Sequence, residues 1–201
     1  PGQKAIGGVG AQASSPAGLG FVMHSHHGTP GAFTAHTTNV TDGQFNTVAD
    51  LTAITAGTDE AVYFGADEPM LGVYLIHQTT RTVALTTNKF TVEYAAAGPT
   101  WTTATNARDG TAVFRQDAAI IVQTDGSDLY QLTTLPWVKT TVHGVSKYWF
   151  RVYLTAGPAL AGVKIAEVKP IPYRPPLDTA NFPISSYTVG GALPKIIVGS
   201  W

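Results

Sequence analysis

Alternation of apolar and polar positions, rather than a helical period, is the pattern of the central part of the chain. In residues 90–94, Phe, Val and Tyr alternate with Thr and Glu, which predicts a strand with one core face and one polar face. Residues 148–154 are apolar or aromatic on both faces, with Arg151 as the single charge, which predicts a central strand. Further strands are predicted at residues 61–64, 72–77, 82–86, 112–114, 118–123 and 162–169.

Turn signals separate these segments. Asp109-Gly110, Asp125-Gly126 and His143-Gly144 supply residues that tolerate a positive φ, and the Ala-Gly-Pro sequences at 97–99 and 156–158 break a continuing strand. Short strands with breakers every ~8–12 residues are typical of sandwiches. We therefore predict an all-β chain, an antiparallel β-sandwich or jelly roll with extended N- and C-terminal arms.

The two ends differ from this centre. Residues 1–50 are rich in Gly, Ala, Ser, Thr and His and have only a possible strand near 45–54, so we predict an N-terminal arm before a sandwich domain at 51–169. Residues 170–201 hold six of the 13 prolines, which predicts an extended C-terminal arm. This arm also carries large apolar residues, which predict that it lies against a surface. Its candidate partner-contact residues are Tyr173, Phe182, Ile184, Tyr187, Ile196 and Trp201.

Charge is scarce, at 12% of residues, with 12 basic and 13 acidic side chains. A basic excess is what attracts nucleic acid or an anionic membrane, so neither is predicted as a partner. Residues 5–41 have no charge but contain glycines and prolines, so they are not predicted to span a membrane. The chain has no cysteine, and stability at this length requires no cofactor. Proline at position 1 suits removal of an initiator methionine, so we expect a complete product made in the cytoplasm.

No catalytic or metal-ligating set is predicted. The histidine cluster lacks the spacing or added carboxylate of a metal site, although two imidazoles at i and i+2 leave that question open. Acidic neighbours at 59–60 and 67–68 point to opposite faces of a strand, and no serine lies in a nucleophile motif. The clustered histidines are His24, His26, His27 and His36.

Tryptophans are the remaining candidates for ligand contact. Trp101 and Trp137 flank predicted loops, so core packing is the first interpretation for both, and stacking on a sugar is the alternative for which they are the candidate residues. Trp149 lies in the most apolar strand and is predicted to be buried.

Several segments, in a fixed order, resemble a β-sandwich module of tailed-bacteriophage structural proteins. The resemblance covers about 60 to 170, and its most specific part, residues 136–151, reads PWVKTTVHGVSKYWFR. In this module Gly144 would take a positive φ and Trp149 would fill the sandwich. Arg151 needs a partner if it is buried, and Glu93 on the other strong strand is the expected one.

The resemblance implies a virion protein without enzymatic activity. Our leading hypothesis is a protein that decorates or cements the capsid, with residues 1–50 and 170–201 bridging neighbouring subunits. Its partners would be the major capsid protein and copies of itself, as a homo-oligomer on the capsid surface. The alternative is a carbohydrate- or receptor-binding module of a head fibre, tail or baseplate, and a jelly-roll hydrolase is the third.

Overall fold

The computed structural model of the chain describes residues 19–28, 32–80, 89–96, 100–105, 107–122 and 136–173. The predicted all-β class is confirmed, because these residues form two sheets of antiparallel strands and one short helix. No helix in these ranges has the length and apolar character needed to cross a membrane.

The larger sheet has seven strands, and a central strand organises it. Six strands follow one another across the sheet in the order β2, β1, β4, β11, β6, β7, and β10 pairs with the beginning of β11. Their bounds are β1 Val22–His26, β2 Phe33–Ala35, β4 Ala61–Ala66, β6 Lys89–Ala95, β7 Trp101–Thr103, β10 Lys139–Val142 and β11 Val145–Ala156.

The smaller sheet has five strands in the order β3, β12, β5, β9, β8. In its long strands β5 and β12, buried positions alternate in the main with less buried ones, which is the pattern of a sheet with one face on the core. The bounds in this sheet are β3 Ala49–Asp50, β5 Met70–Thr79, β8 Arg108–Asp109, β9 Ala118–Ile121 and β12 Lys164–Pro172, and the helix α1 spans Thr37–Thr41.

The main core lies between the two sheets. Phe64 and Phe150 of the larger sheet stack with ring centroids 5.0 Å apart, and they belong to the same buried cluster as Leu75 and Ile165 of the smaller sheet. Each of these four side chains is fully buried. Packing of one apolar face of each sheet against the other therefore forms the sandwich.

Two local predictions about β11 are confirmed. His143 and Gly144 form a two-residue turn between β10 and β11, with φ of +48° and +75°. Positive φ at both positions is the geometry that matches the twist of a hairpin. Arg151 lies opposite Glu93 of β6, and the two side chains form an ion pair.

The structure differs from the sequence analysis at the N-terminal boundary. The described part of residues 1–50 is not an arm, because β1 lies inside the larger sheet between β2 and β4. Residues 1–18 and 174–201, which include most of the predicted contact arm, lie outside the described residues. The predicted partner-contact residues that lie outside the described residues are Phe182, Ile184, Tyr187, Ile196 and Trp201. The backbone N–H of the remaining candidate, Tyr173, donates to the Pro69 carbonyl oxygen at 3.4 Å.

The predicted strand at 112–114 is also wrong. Ala112, Val113 and Phe114 have φ values of +51°, +62° and +61°, so they form a left-handed turn. The predicted strand at 82–86 falls outside the described residues.

Candidate binding face of the seven-stranded sheet

Aromatic side chains line the face of the larger sheet that points away from the smaller sheet, here called the outer face. Tyr63, Trp149 and Tyr153 form a buried cluster on it, separate from the main core, and Phe33 and Trp101 are half-buried at its margin. In antiparallel sandwiches the face turned away from the core is normally polar. The outer face therefore has more aromatic surface than the fold itself requires.

Trp149 is buried as predicted, but on this outer face rather than between the sheets. Its ring lies over Gly65 of β4, where an added Cβ would come within 2.7 Å of the indole. The indole N–H donates to the backbone carbonyl oxygens of Thr140 at 2.9 Å and Val145 at 3.3 Å. Trp149 thus closes the β10–β11 hairpin onto the sheet.

An ion pair crosses the outer face from β11 to β6. Nε and Nη2 of Arg151 each lie 2.7 Å from Oε2 of Glu93, and both side chains are 12% exposed. The Tyr153 hydroxyl donates to the other Glu93 oxygen at 3.2 Å, and Nη1 of Arg151 donates to the Thr58 carbonyl oxygen at 3.3 Å. Burial, followed by the neighbouring Glu93 carboxylate, raises the pKa of Tyr153. The charges compensate each other, which limits the cost of burying them.

Trp101 lies beside this ion pair on the edge strand β7. The Arg151 guanidinium carbon is 4.6 Å from the centroid of the indole, and the Tyr63 ring meets the indole edge-on at 5.6 Å. A cation over one face of an indole is an attractive contact that fixes the orientation of the ring. Trp101 is thus a partly buried aromatic ring held in place by two neighbours.

Trp137, the other predicted stacking residue, lies on the opposite side of the same sheet. It is 8% exposed in the main core, where it stacks on Tyr94 at 6.1 Å and meets Phe150 edge-on at 6.3 Å. A ring in this position offers no face to a ligand. The structure therefore separates the two predicted residues and retains only Trp101 as a candidate for stacking.

A pocket of about 260 Å³ opens where β6 begins and β7 ends. The side chain of Thr103 occupies the position opposite Glu93 and that of Thr91 the position opposite Tyr153, so both belong to the outer face. Sequence analysis missed the pocket, although the threonine-rich segment 100–105 is a signal for it. The lining residues are Phe90, Thr91, Val92, Thr103, Ala104, Thr105, Ala107 and Asp109.

Asp109 forms one wall of this pocket and holds the left-handed turn beside it. Its carboxylate accepts hydrogen bonds from the backbone N–H of Thr111 at 2.8 Å and from the backbone N–H of Val113 at 2.6 Å. It also accepts one from the Thr111 hydroxyl. Thr111 is fully buried, and its hydroxyl also accepts from the Phe114 N–H at 3.0 Å. Such bonds compensate for the cost of left-handed backbone at residues other than glycine.

Each of the clustered histidines contacts a neighbouring side chain. His24 and His26 extend from β1 onto the outer face, where His143 stacks on Phe33 at 4.8 Å and meets His24 at 5.2 Å. Burial, and then the neighbouring His143, lowers the pKa of His24. The side chain of His36 forms a hydrogen bond with the Ser25 hydroxyl at 2.7 Å, and that of His27 forms one with the Glu60 carboxylate at 2.5 Å.

The paired acids take part in local contacts. Glu60 also accepts from the backbone N–H of Gly28 at 2.8 Å, and Asp67 forms an ion pair with Lys147 at 2.9 Å. Within the described ranges, no three His, Asp or Glu side chains lie together as a metal would require.

Comparisons with known proteins give weak structural similarities. No protein-family model and no curated protein sequence matches the chain with significance. Among solved structures, CpGH89CBM32-6 produced by Clostridium perfringens is 14% identical, with a TM-score of 0.37 over 76% of this chain and 94% of that one. A pectin binding carbohydrate binding module is also 14% identical, with a TM-score of 0.29 over 69% of this chain and 85% of that one. Similarity this low does not identify a ligand for the chain.

Proposed function

We propose that the chain is a non-enzymatic carbohydrate-binding module, with its ligand site on the outer face at the edge strand β7. The observation that carries this proposal is the position of Trp101. Its ring is partly buried on an edge strand and is held by Arg151 and Tyr63, next to a pocket with threonine hydroxyls.

The chemistry of this surface suits a sugar. A pyranose ring has apolar C–H faces and a rim of hydroxyl groups, so it is bound by a flat aromatic ring together with hydrogen-bonding side chains nearby. Trp101 supplies the ring, and Thr91 and Thr103 supply hydroxyls on the same face. Because the ring is already held by its neighbours, little side-chain entropy is lost on binding.

A glycan array of the full chain tests the proposal. We expect binding of a defined set of glycans by the wild type and at least tenfold weaker binding by Trp101→Ala, because the stacking contact is lost. Tyr74→Ala is the matched control, since Tyr74 is 38% exposed on the smaller sheet. Equal losses in both variants, or no glycan bound by the wild type, would overturn the proposal.

We further propose that this module is carried on a phage virion, as a decoration or cement protein whose arms contact the major capsid protein and other copies of itself. The observation that favours it is local: residues 136–151, the most specific part of the resemblance, include the β10–β11 hairpin and its closing contact from Trp149. Here the candidate contacts remain Tyr173, Phe182, Ile184, Tyr187, Ile196 and Trp201.

Co-purification with intact heads or with tails tests the virion proposal. We expect the chain on heads, and we expect Phe182→Asp or Ile196→Asp to weaken attachment while the circular dichroism spectrum of the sandwich is unchanged. Recovery with tails alone would contradict capsid decoration, and absence from all particles would contradict a virion role.

A further inference from the structure

We propose that the pocket where β6 begins and β7 ends is a subsite for one neutral pyranose unit, whose neighbouring unit in the glycan stacks on Trp101. This inference rests on the proposed carbohydrate-binding function and adds to it the site, the number of units and the charge of the ligand.

The size of the pocket is comparable to that of a small ligand. Its volume of about 260 Å³ lies below the range of about 300–1,000 Å³ of pockets that enclose drug-sized molecules. One six-membered ring with its substituents is comparable in size to this space, which is open to solvent, so the next unit of a glycan can lie outside it. The pocket is therefore suited to a single unit of a longer chain.

The described walls of the pocket combine threonine hydroxyl groups with one carboxylate. Thr91, Thr103 and Thr105 bring hydroxyl groups, each of which both donates and accepts a hydrogen bond. Asp109 is the single ionisable residue among the described lining residues, and its two oxygens already accept from Thr111 and Val113. The Asp109 carboxylate in the lining would repel an acidic sugar. Hydroxyl-rich neutral rings match this set of groups.

An aromatic and apolar side completes the pocket. Phe90 lies in the lining, half-buried, and its ring meets the Phe114 ring edge-on with centroids 5.7 Å apart. Val92, Ala104 and Ala107 add small apolar surfaces. An apolar side opposite hydroxyl groups fits the amphipathic character of a pyranose ring.

The pocket and Trp101 lie along one line of the sheet. Trp101 and Thr103 are two residues apart on β7, so their side chains share the outer face and are separated by roughly 7 Å, at ~3.3 Å per residue. Neighbouring units of a linear glycan are spaced on this scale. A glycan that runs along the edge strand would thus reach both positions.

Calorimetric titration of the full chain with sugars of one and several units tests the inference. The probes are glucose, galactose, mannose and N-acetylglucosamine, glucuronic acid as the charged counterpart of glucose, and the neutral oligosaccharide that binds best on the array. We expect the oligosaccharide to bind at least tenfold more weakly to Thr103→Val, which removes one hydroxyl at nearly constant volume. Thr102→Val is the matched control, because Thr102 is exposed on the same strand and does not line the pocket.

A second variant fills the pocket instead of removing a hydroxyl. Ala107→Leu should abolish binding of the neutral monosaccharide that binds the wild type, whereas Trp101→Ala should retain most of it and lose the additional affinity of the oligosaccharide. We also expect glucuronic acid to bind at least tenfold more weakly than glucose.

The outcomes separate the inference from the proposed function. If Trp101→Ala abolishes oligosaccharide binding while Thr103→Val and a folded Ala107→Leu bind normally, the pocket inference is wrong and the module remains a carbohydrate binder. If glucuronic acid binds more tightly than glucose, the neutral assignment is wrong. If the wild type binds no sugar, the proposed function fails, and the subsite with it.

Discussion

Replacement of Asp109 by alanine tests how the left-handed turn beside the pocket is stabilised. Three consecutive residues, Ala112, Val113 and Phe114, have φ values between +51° and +62°. A left-handed conformation costs an L-residue roughly 1–2 kcal/mol, and a β-branched residue such as Val113 is a particularly unfavourable occupant. The carboxylate of Asp109 provides three hydrogen bonds that keep this backbone in place.

The magnitude follows from those bonds. Asp109 is only partly buried, so each bond is taken to contribute about 1 kcal/mol, which is below the usual range for a bond to a charged group. The loss of three bonds then lowers the free energy of unfolding by about 3 kcal/mol. For a domain of this size that corresponds to a fall in Tm on the order of 10 °C. Asp109→Asn keeps one acceptor oxygen and should lose about half as much.

Urea denaturation followed by circular dichroism measures the effect, with an unchanged m-value as the sign that only stability has altered. Ala112→Gly is a control of opposite sign. Ala112 is exposed and has a φ of +51°. Glycine relieves the strain of this left-handed conformation but increases the entropy of the unfolded chain, so the net gain in the free energy of unfolding should be about 0.5 kcal/mol. If Asp109→Ala lowers stability by less than about 1 kcal/mol, the turn is not held by this carboxylate and the reasoning is refuted.

Other variants test the larger sheet, and a pH series tests the buried histidines of the sandwich. Gly65→Ala should cost about 1–3 kcal/mol and shift tryptophan fluorescence, because the new Cβ meets Trp149; unchanged emission would contradict the packing. Glu93→Gln should cost about 2 kcal/mol in urea denaturation, because Arg151 loses its charged partner; no loss would mean that the pair is dispensable. Burial lowers the pKa of three histidines in the folded state, so the unfolded chain binds more protons as the pH falls. The free energy of unfolding should therefore be constant above about pH 7 and decrease below about pH 6.5. A free energy of unfolding that does not change with pH, measured by urea denaturation, would contradict this. These histidines are His24, His36 and His77.

Much of the larger sheet was predictable because its strands carry strong local signals. The continuous aromatic and β-branched run in β11 and the strict alternation in β6 indicate strands, and His143-Gly144 indicates the turn before β11. The ion pair between Glu93 and Arg151 was also predictable, since a buried charge in an apolar strand requires a partner.

Features that depend on contacts distant in sequence were not predictable. A strand that is apolar on both faces does not indicate which face meets the other sheet, so Trp149 was placed between the sheets. The strand β1 was missed because His24 and His26 are polar by composition, whereas in the fold their rings pack on other aromatic rings. At 112–114, bonds from a side chain to the backbone outweighed the local preference for a strand.

The most direct test of the proposed carbohydrate site is an NMR titration of the indole N–H groups with the best glycan from the array. The chain has four tryptophans, so each indole signal can be assigned by single substitution to phenylalanine. We predict that the Trp101 signal shifts with increasing glycan, while the signals of Trp137 and Trp149 stay in place because both rings are buried. Saturable glycan binding with an unchanged Trp101 signal would contradict the account.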